Sequence, residues 1–531
     1  MPPLRKVLVA NRGEIAIRIL RACREMGLRT VAVYSAADAN ALHTKYADEA
    51  HPIGPPPASE SYLNIPRILE VAGKTRADAI HPGYGFLAES ADFARACEVR
   101  GVRFVGPPAR VLEVMGPKLS AREAMARARI PVVPGSGALE SVEEAVEAAE
   151  MLGWPAVLKP SGGGGGKGMR VVRDRKELED AFESTKALAK SAFADPAVYL
   201  ERFLPRPRHI EVQVLADRKG TTLHLFEREC SIQRRFQKFM EEAPSPLLTP
   251  ARRKTLTALA VKAARGVGYS NAGTLEFLWS GGRFYFGEMN PRLQVEHTVT
   301  EMVTGVDIVK TQLRVASGGS LGLRQADVEL RGHAIQCRVM AEDPLTHAPS
   351  PGTIQGYRSP GGVGVRVDSG VHMGYTIPGF YDSLVAKVTV WGNDRPEAVA
   401  RLQRALYEFI IDGVRTNIPL CKAVVAHPKF QKGDLGTDFL ERNRIAEQVR
   451  SVLELEQSKA LQMASIFAEG REEAFRAAVA MAAPPAPEPP EREEVVVVAT
   501  AVQRYLETEV GGAKPPSRWL LESRRESVGG E

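Results

Sequence analysis

The sequence predicts an α/β protein with a doubly wound parallel sheet first, a small lid domain next, and a larger mixed-sheet domain after that. Three observations predict it. "KVLVANRGEIAIRILRACREMGLRTVAVYS" reads strand, tight loop, helix, strand, the opening of a parallel sheet with crossover helices. "AVLKPSGGGGGKGMRVVRD" places five consecutive glycines between two strand-like pieces. From Arg206 to about Arg444, β-rich runs dominate, with helical stretches between and after them.

In the first region, Val7 to Val9 is a short apolar run and Gly13 permits a turn. Ile15, Ile19 and Ala22 recur at helical spacing, and "TVAVYS" is the second strand. The loop between them lacks Gly-x-Gly-x-x-Gly, which argues against a dinucleotide site. "ADAIHPGYGFLAE" is a further strand ending in a Gly-rich loop at the carboxyl edge of the sheet, and "GVRFVGPP" is the next. These set a first domain at 1–130. The small domain, 131–205, holds "WPAVLKP", the glycine run, "MRVVRD", helices through Lys190 and the strand "AVYLERFL". The third region, 206–445, holds "HIEVQVLAD", "TLHLFERE", "AGTLEFLW", "RFYFGEMN", "HAIQCRVMAE" and the helix "EAVARLQRALYEF". The tail, 446–531, starts helical and crosses the Pro-rich "APPAPEPPEREE". Trp519, Leu520 and Leu521 near its end are costly to expose and suggest docking to a partner subunit.

Composition narrows the function. The chain has 531 residues, 44% apolar and 25% charged, with a net charge of +6, ordinary for a soluble protein. No long Lys/Arg block occurs, so the basic excess points to anionic small substrates and not to nucleic acid. No run approaches the ~20 apolar residues of a membrane helix. "MPPLRKVLVA" enters a strand directly, without signal-peptide character. Cys23, Cys97, Cys230, Cys337 and Cys421 show no Cys-x-x-Cys spacing. That fits reduced thiols in a cytoplasm better than a disulfide framework or a zinc site.

The chemistry-bearing stretch is "GTLEFLWSGGRFYFGEMNPRLQVEHTVTE", a hairpin about Gly281-Gly282 with one acid on each arm, Glu276 and Glu288. A two-residue turn places these acids on opposite faces. A three-residue turn ending in a bulge pairs them directly on one face. Two adjacent carboxylates repel unless a divalent cation lies between them, and magnesium prefers carboxylates together with substrate phosphates. Glu288, Asn290, Arg292, Gln294 and Glu296 then alternate with Met289, Pro291, Leu293 and Val295, as in an extended segment with one buried face. Acid, amide and guanidinium together suit a metal, a small oxyanion and a proton. A second polar cluster, Gln233, Arg234, Arg235, Gln237 and Lys238, reads alone as a charged loop.

The glycine run is not a Walker A motif. Gly168, not Ser or Thr, follows Lys167, and Ser161 stands where the first glycine is required. Five glycines inside one small domain fit a lid whose bare N–H groups meet phosphate. With Lys118, Lys159 and the paired acids, they outline a nucleoside triphosphate site.

These stretches carry a resemblance. With "IHPGYGFLAE", "MGPK", "KPSGGGGGKGMR", "RHIEVQVLAD", "RECSIQRR", "EEAPSP", "FGEMNPRLQVEH", "GHAIQCRVMAEDP" and "YDSLVAKV", residues 4–445 resemble the biotin carboxylase component of biotin-dependent carboxylases, members of the ATP-grasp superfamily. The resemblance implies an ATP-grasp fold and ATP- and bicarbonate-dependent carboxylation of biotin. By it, Lys118, Lys159 and His209 contact ATP phosphates under the Gly162–Gly168 lid, which contributes Gly164, Gly165 and Gly166. Glu201 and Leu204 hold adenine, and Met169, Gln233 and Leu278 complete the nucleotide site. Glu276, Glu288 and Asn290 bind two magnesium or manganese ions. Lys238, Arg292, Gln294 and the backbone of Val295 hold bicarbonate, Glu296 is its base, and Arg338 stabilises the biotin enolate. Arg21, Glu25 and Arg366 match the family's homodimer contact. Phe236 stands where the family usually has His, and Pro291 replaces a small polar residue.

No Met-Lys-Met biotin-acceptor sequence occurs, and no room remains for a transferase domain. The resemblance therefore implies a separate biotin carboxyl carrier protein and a separate carboxyltransferase subunit. Another ATP-grasp ligase would share the lid and the metal acids but need neither "RLQVE" nor Arg338. A non-catalytic subunit would not need every catalytic position filled.

Overall fold

The computed structural model describes residues 3–162, 168–193 and 195–459. Its first sheet joins β1 (Lys6–Val9), β2 (Arg29–Ser35), β3 (Glu49–Gly54), β4 (Ala79–His81) and β5 (Arg103–Phe104). All are parallel, in the order β3-β2-β1-β4-β5. Val7, Leu8 and Val9 are wholly buried, as an uninterrupted apolar strand covered on both faces requires. The winding reverses between β1 and β4. Ligands collect at such a switch point, beyond the carboxyl ends of the strands. The residues that follow these two strands, 11–15 and 84–86, line one large cavity.

The small domain is a three-stranded antiparallel sheet in the order β7-β6-β8, from β6 (Ala156–Pro160), β7 (Arg170–Val172) and β8 (Val198–Arg202). The helices Val142–Leu152 and Arg175–Phe193 cover it over a core of Leu158, Val172, Leu178, Phe182 and Leu200. Ser141 caps the first helix by accepting from the Glu144 N–H. β6 and β7 pair Leu158 with Arg170, so the glycine run connects the two arms of a hairpin. Residues 163–167, with Gly164, Gly165 and Gly166, lie outside the described residues.

The third region forms an eight-stranded sheet. It contains β9 (Arg208–Ala216), β10 (Thr222–Arg234), β11 (Gln237–Ala243), β12 (Asn271–Ser280), β13 (Arg283–Asn290) and β14 (His333–Met340). Their order is β13-β12-β9-β10-β11-β14, continued by Leu384–Gly392 and Val365–Ser369. Where a mixed sheet was expected, every strand pair is antiparallel, and short hairpins join β9 to β10, β10 to β11 and β12 to β13. The expected charged loop at 233–238 is one of these hairpins. Arg235 and Phe236 form its two-residue turn, both at positive φ, and Arg234 pairs with Gln237.

The helix α1 (Gly13–Glu25) ties the first sheet to this one. A Cβ at Gly370 would lie 2.7 Å from the Glu14 backbone nitrogen and 2.8 Å from the Gly13 carbonyl carbon. Backbone there cannot swing aside, so Gly370→Ala is expected to lower stability by about 1–3 kcal/mol. Denaturant unfolding checks this.

Residues 445–459 are helical. Val449 is buried, and Val452 and Leu453 pack on the core of the third region. The Pro-rich break and the proposed docking residues Trp519, Leu520 and Leu521 lie outside the described residues. No helix among the described residues is long and apolar enough to cross a membrane.

Candidate active site

The cavity at the switch point has a volume of about 1320 Å³ and is walled by all three regions. Lys118 enters from the first residue of the helix Lys118–Arg127, Lys159 from β6, and Glu201 from β8. Met169, Leu204, Leu278 and Met289 give the wall an apolar portion. Lys238, Arg292, Gln294, Val295 and Arg338 line it too, with His209, Gln233, Glu276, Glu288 and Asn290. The structure thus gathers the predicted residues it describes around one space. Glu296 is the exception, wholly buried just behind the wall.

The hairpin resolves the two registers left open by the sequence. The turn is the two-residue one, Gly281-Gly282, both at positive φ, with Ser280 opposite Arg283. A bulge then shifts the register, so Phe277 pairs with Phe286 and Glu276 with Glu288. The extra residue in the strand is Gly287. Tight turn and facing acids therefore coexist, because the bulge lies in the strand and not in the turn.

Burial works against the Glu276 charge, but Lys238 and His209 outweigh it and hold Glu276 well below the usual carboxylate range. Glu288 moves the other way, raised by burial and then by its neighbour Glu276. Glu276 accepts from Asn290 Nδ2 at 2.8 Å and from Gln294 Nε2 at 3.2 Å. His209 Nε2 lies 2.9 Å from Glu276 Oε2, while its Nδ1 meets Gln233 Nε2 at 2.9 Å. Oxygen donors on two facing strands, whose carboxylates repel one another, fit a hard divalent cation.

The expected extended segment stops at Asn290. Residues 291–296 turn irregularly into the helix His297–Thr304, with Glu296 as its N-cap residue. Alternation here is not a continuing strand: Glu288, Asn290, Arg292 and Gln294 line the cavity, but so do Met289 and Val295, and Glu296 lies behind the wall. Arg292 donates to Glu89 Oε1 at 2.6 Å, Gln294 Oε1 at 3.0 Å and Asn290 Oδ1 at 2.9 Å.

Lys238 sits among three acids. Its Nζ donates to Glu211 Oε2 at 2.6 Å, Glu276 Oε1 at 2.5 Å and Glu296 Oε1 at 2.9 Å. The second Glu296 oxygen accepts from Arg338 Nη2 at 2.9 Å, and Arg338 Nε donates to Glu241 Oε1 at 2.6 Å. Burial opposes charge on Glu296, but Lys238 and Arg338 hold it well below the usual range. Burial pushes Glu241 up to about 7 against the pull of Arg338. Behind them, the wholly buried Arg228 pairs with Glu211 and donates to Thr300 and Thr274. At the other end of the cavity, Glu201 takes Lys159 and Arg122, each at 2.5 Å.

Glu211, Glu241, Glu89 and Arg228 are the site residues that sequence reading missed. Glu211 and Gln213 alternate with Val212 and Val214 in "HIEVQVLAD". A buried strand carrying two polar residues on one face is the signal that could have found the first of them. Phe236, at the tip of its hairpin, is half exposed and lines the cavity.

The chain matches three consecutive family models. They are the biotin carboxylase N-terminal domain at residues 3–112, the carbamoyl-phosphate synthase L chain ATP-binding domain at 117–324, and the biotin carboxylase C-terminal domain at 336–442. It is 55% identical to a biotin carboxylase of Pseudomonas aeruginosa over 83% of this chain and 98% of that one. It is also 55% identical to a pyruvate carboxylase subunit from Methanothermobacter thermautotrophicus, over 87% and 95%. Among solved structures, it superimposes on the biotin carboxylase domain dimer of Hydrogenobacter thermophilus 2-oxoglutarate carboxylase, in complex with MgADP, ADP and bicarbonate. The TM-score is 0.82 at 48% identity, over 84% of this chain and 99% of that one. The Campylobacter jejuni biotin carboxylase–β,γ-ATP complex gives 0.81 at 46%, over 83% and 99%. The family models, the identity to these relatives and the structural match agree, and the chain belongs to the biotin carboxylase family.

Proposed function

We propose that this chain uses MgATP and bicarbonate to carboxylate biotin held on a separate carrier protein. The observation that carries the reading is Glu296, one buried carboxylate bridging Lys238 and Arg338 beside the paired acids Glu276 and Glu288. ATP lies along the cavity with its phosphates toward Lys118, Lys159 and His209 and its base against Leu204, Leu278 and Met169. Glu201 keeps Lys159 in place. Gly164, Gly165 and Gly166 supply further phosphate contacts. Glu276, Glu288 and Asn290 hold magnesium or manganese, two ions in all, which when bound offset charge on the transferring phosphoryl group.

Bicarbonate lies against Lys238, Arg292, Gln294 and the Val295 backbone. Its charge draws Lys238 and Arg338 away from Glu296, so the basicity of that carboxylate rises when substrate arrives. Glu296 then takes the bicarbonate proton as the bicarbonate oxygen attacks the γ-phosphorus. ADP leaves, and carboxyphosphate forms. Carboxyphosphate breaks to CO2 and phosphate. The phosphate removes the N1′ proton of biotin, Arg338 stabilises the resulting enolate, and the nitrogen attacks CO2. The closed cavity keeps water from carboxyphosphate.

The protein works as a homodimer through the face that carries Arg21, Glu25 and Arg366. There Arg366 donates to Asp368 and Glu301, and Lys310 pairs with Glu25. Carrier and carboxyltransferase are separate chains, and residues 446–531 dock one of them. The buried thiols of all five cysteines suit the cytoplasm. Relatives of equal identity carry the names of different carboxylases, so the acyl acceptor is chosen on the transferase.

Incubation with MgATP, free biotin and isotopically labelled bicarbonate tests the reaction. The expected product is biotin carrying acid-labile label, formed only with all three substrates. Label transfer to an added amine, with none to biotin, would favour another ATP-grasp ligase.

A further inference from the structure

Lys387 is wholly buried in the strand Leu384–Gly392, where lysine is rare without a purpose. Its Nζ lies 3.1 Å from Glu14 Oε2 and donates to the Val295 carbonyl at 3.1 Å. It also lies 5.6 Å from the centre of the Tyr84 ring, and the Tyr84 hydroxyl donates to Glu14 Oε1. Three separately placed pieces meet at one ammonium: the first turn of α1, the loop after β4, and the large sheet. The carbonyl it holds belongs to the peptide that precedes Glu296. The adjacent Gln294 carbonyl is held in the same way by His297 Nδ1, at 2.7 Å. Across the sheet, Lys387 is the direct partner of Arg338, whose guanidinium holds Glu296 from the other side.

We propose that Lys387, braced by Glu14 and Tyr84, is a positioning residue that fixes the Val295–Glu296 peptide so that the Glu296 carboxylate meets bicarbonate. It touches no substrate itself. An apolar residue of similar volume would fill the space as well or better for stability alone. A charged donor aimed at one carbonyl beside the base is a means of orientation. Misplacing a reacting group by about 1 Å can cost up to a hundredfold in rate. The inference rests on the biotin carboxylase reaction proposed above.

The test compares Lys387→Met, Lys387→Arg and the double variant Glu14→Gln/Lys387→Met with the parent chain. It measures kcat and KM for bicarbonate and for MgATP, together with thermal melting. The double variant leaves no unpaired buried charge and so keeps a folded protein in the comparison if Lys387→Met unfolds. The parent is expected to turn over with bicarbonate; if it does not, the functional reading itself fails, and this inference with it. Given that turnover, kcat/KM for bicarbonate is expected to fall about ten- to a hundredfold in Lys387→Met and in the double variant. KM for MgATP should stay within about twofold, and Lys387→Arg, which can still donate to the carbonyl, should recover part of the loss. Bicarbonate kinetics like the parent's in the folded double variant, or equal losses toward both substrates, would overturn the assignment.

Discussion

Glu296→Gln is expected to lower biotin-dependent turnover by about 10²–10⁴-fold, the range for removing a general base, while MgATP affinity stays close to that of the parent. The substitution keeps the shape and removes the charge. Lys238 retains Glu211 and Glu276, and Arg338 retains Glu241, so neither cation is left alone in the interior. The proposed nucleotide contacts are made by Lys118, Lys159, His209 and the small domain and not by this carboxylate. Steady-state kinetics with a separate nucleotide-binding titration checks both halves. Loss of MgATP binding along with turnover would contradict the assignment of Glu296 as base.

Glu288→Gln is expected to cut turnover by about a hundredfold or more through lost metal, yet to stabilise the metal-free protein. Glu288 sits opposite Glu276, and burial together with that neighbour raises its proton affinity in the folded state. A carboxyl raised on folding favours the fold while it is protonated, below its unfolded pKa. That contribution is lost as pH rises through the folded value. Without metal, the parent therefore loses this contribution as pH climbs above the ordinary carboxylate range. The glutamine variant, with nothing to ionise there, does not. The melting-temperature advantage of the variant should widen from about pH 5 to pH 8. Added magnesium should raise the parent's melting temperature and leave the variant's nearly unchanged. A variant less stable than the metal-free parent at every pH would show that the two acids do not repel.

Much of this was legible because the site is built on regular elements. The strand–loop–helix–strand opening forecast β1, α1 and β2, and the flanks of the glycine run forecast β6 and β7. Even-numbered spacing picked out Glu288, Asn290, Arg292 and Gln294, which line the cavity, and Glu296 behind its wall, but passed over Met289 and Val295, which line it too. It did not show that the strand ends at Asn290, because residues turning toward a helix N-terminus can keep the alternation without the extended backbone. The register of Glu276 and Glu288 depends on a bulge at Gly287, and a lone glycine inside a strand does not announce one. The roles of Glu211, Glu241 and Lys387 were hidden for a different reason. Each gains its role only from a partner distant in sequence, Lys238, Arg338 or Glu14. The hairpin at 233–238 was hidden by its turn residues, since Arg235 and Phe236 carry none of the usual signals for positive φ.

The central claim is that bicarbonate, deprotonated by Glu296, attacks the γ-phosphate of ATP. Bicarbonate labelled with oxygen-18 tests it directly, with the released phosphate examined by mass spectrometry. The account predicts one labelled oxygen carried from bicarbonate into inorganic phosphate at each turnover in the presence of biotin. Phosphate bearing oxygen only from ATP and water would contradict it.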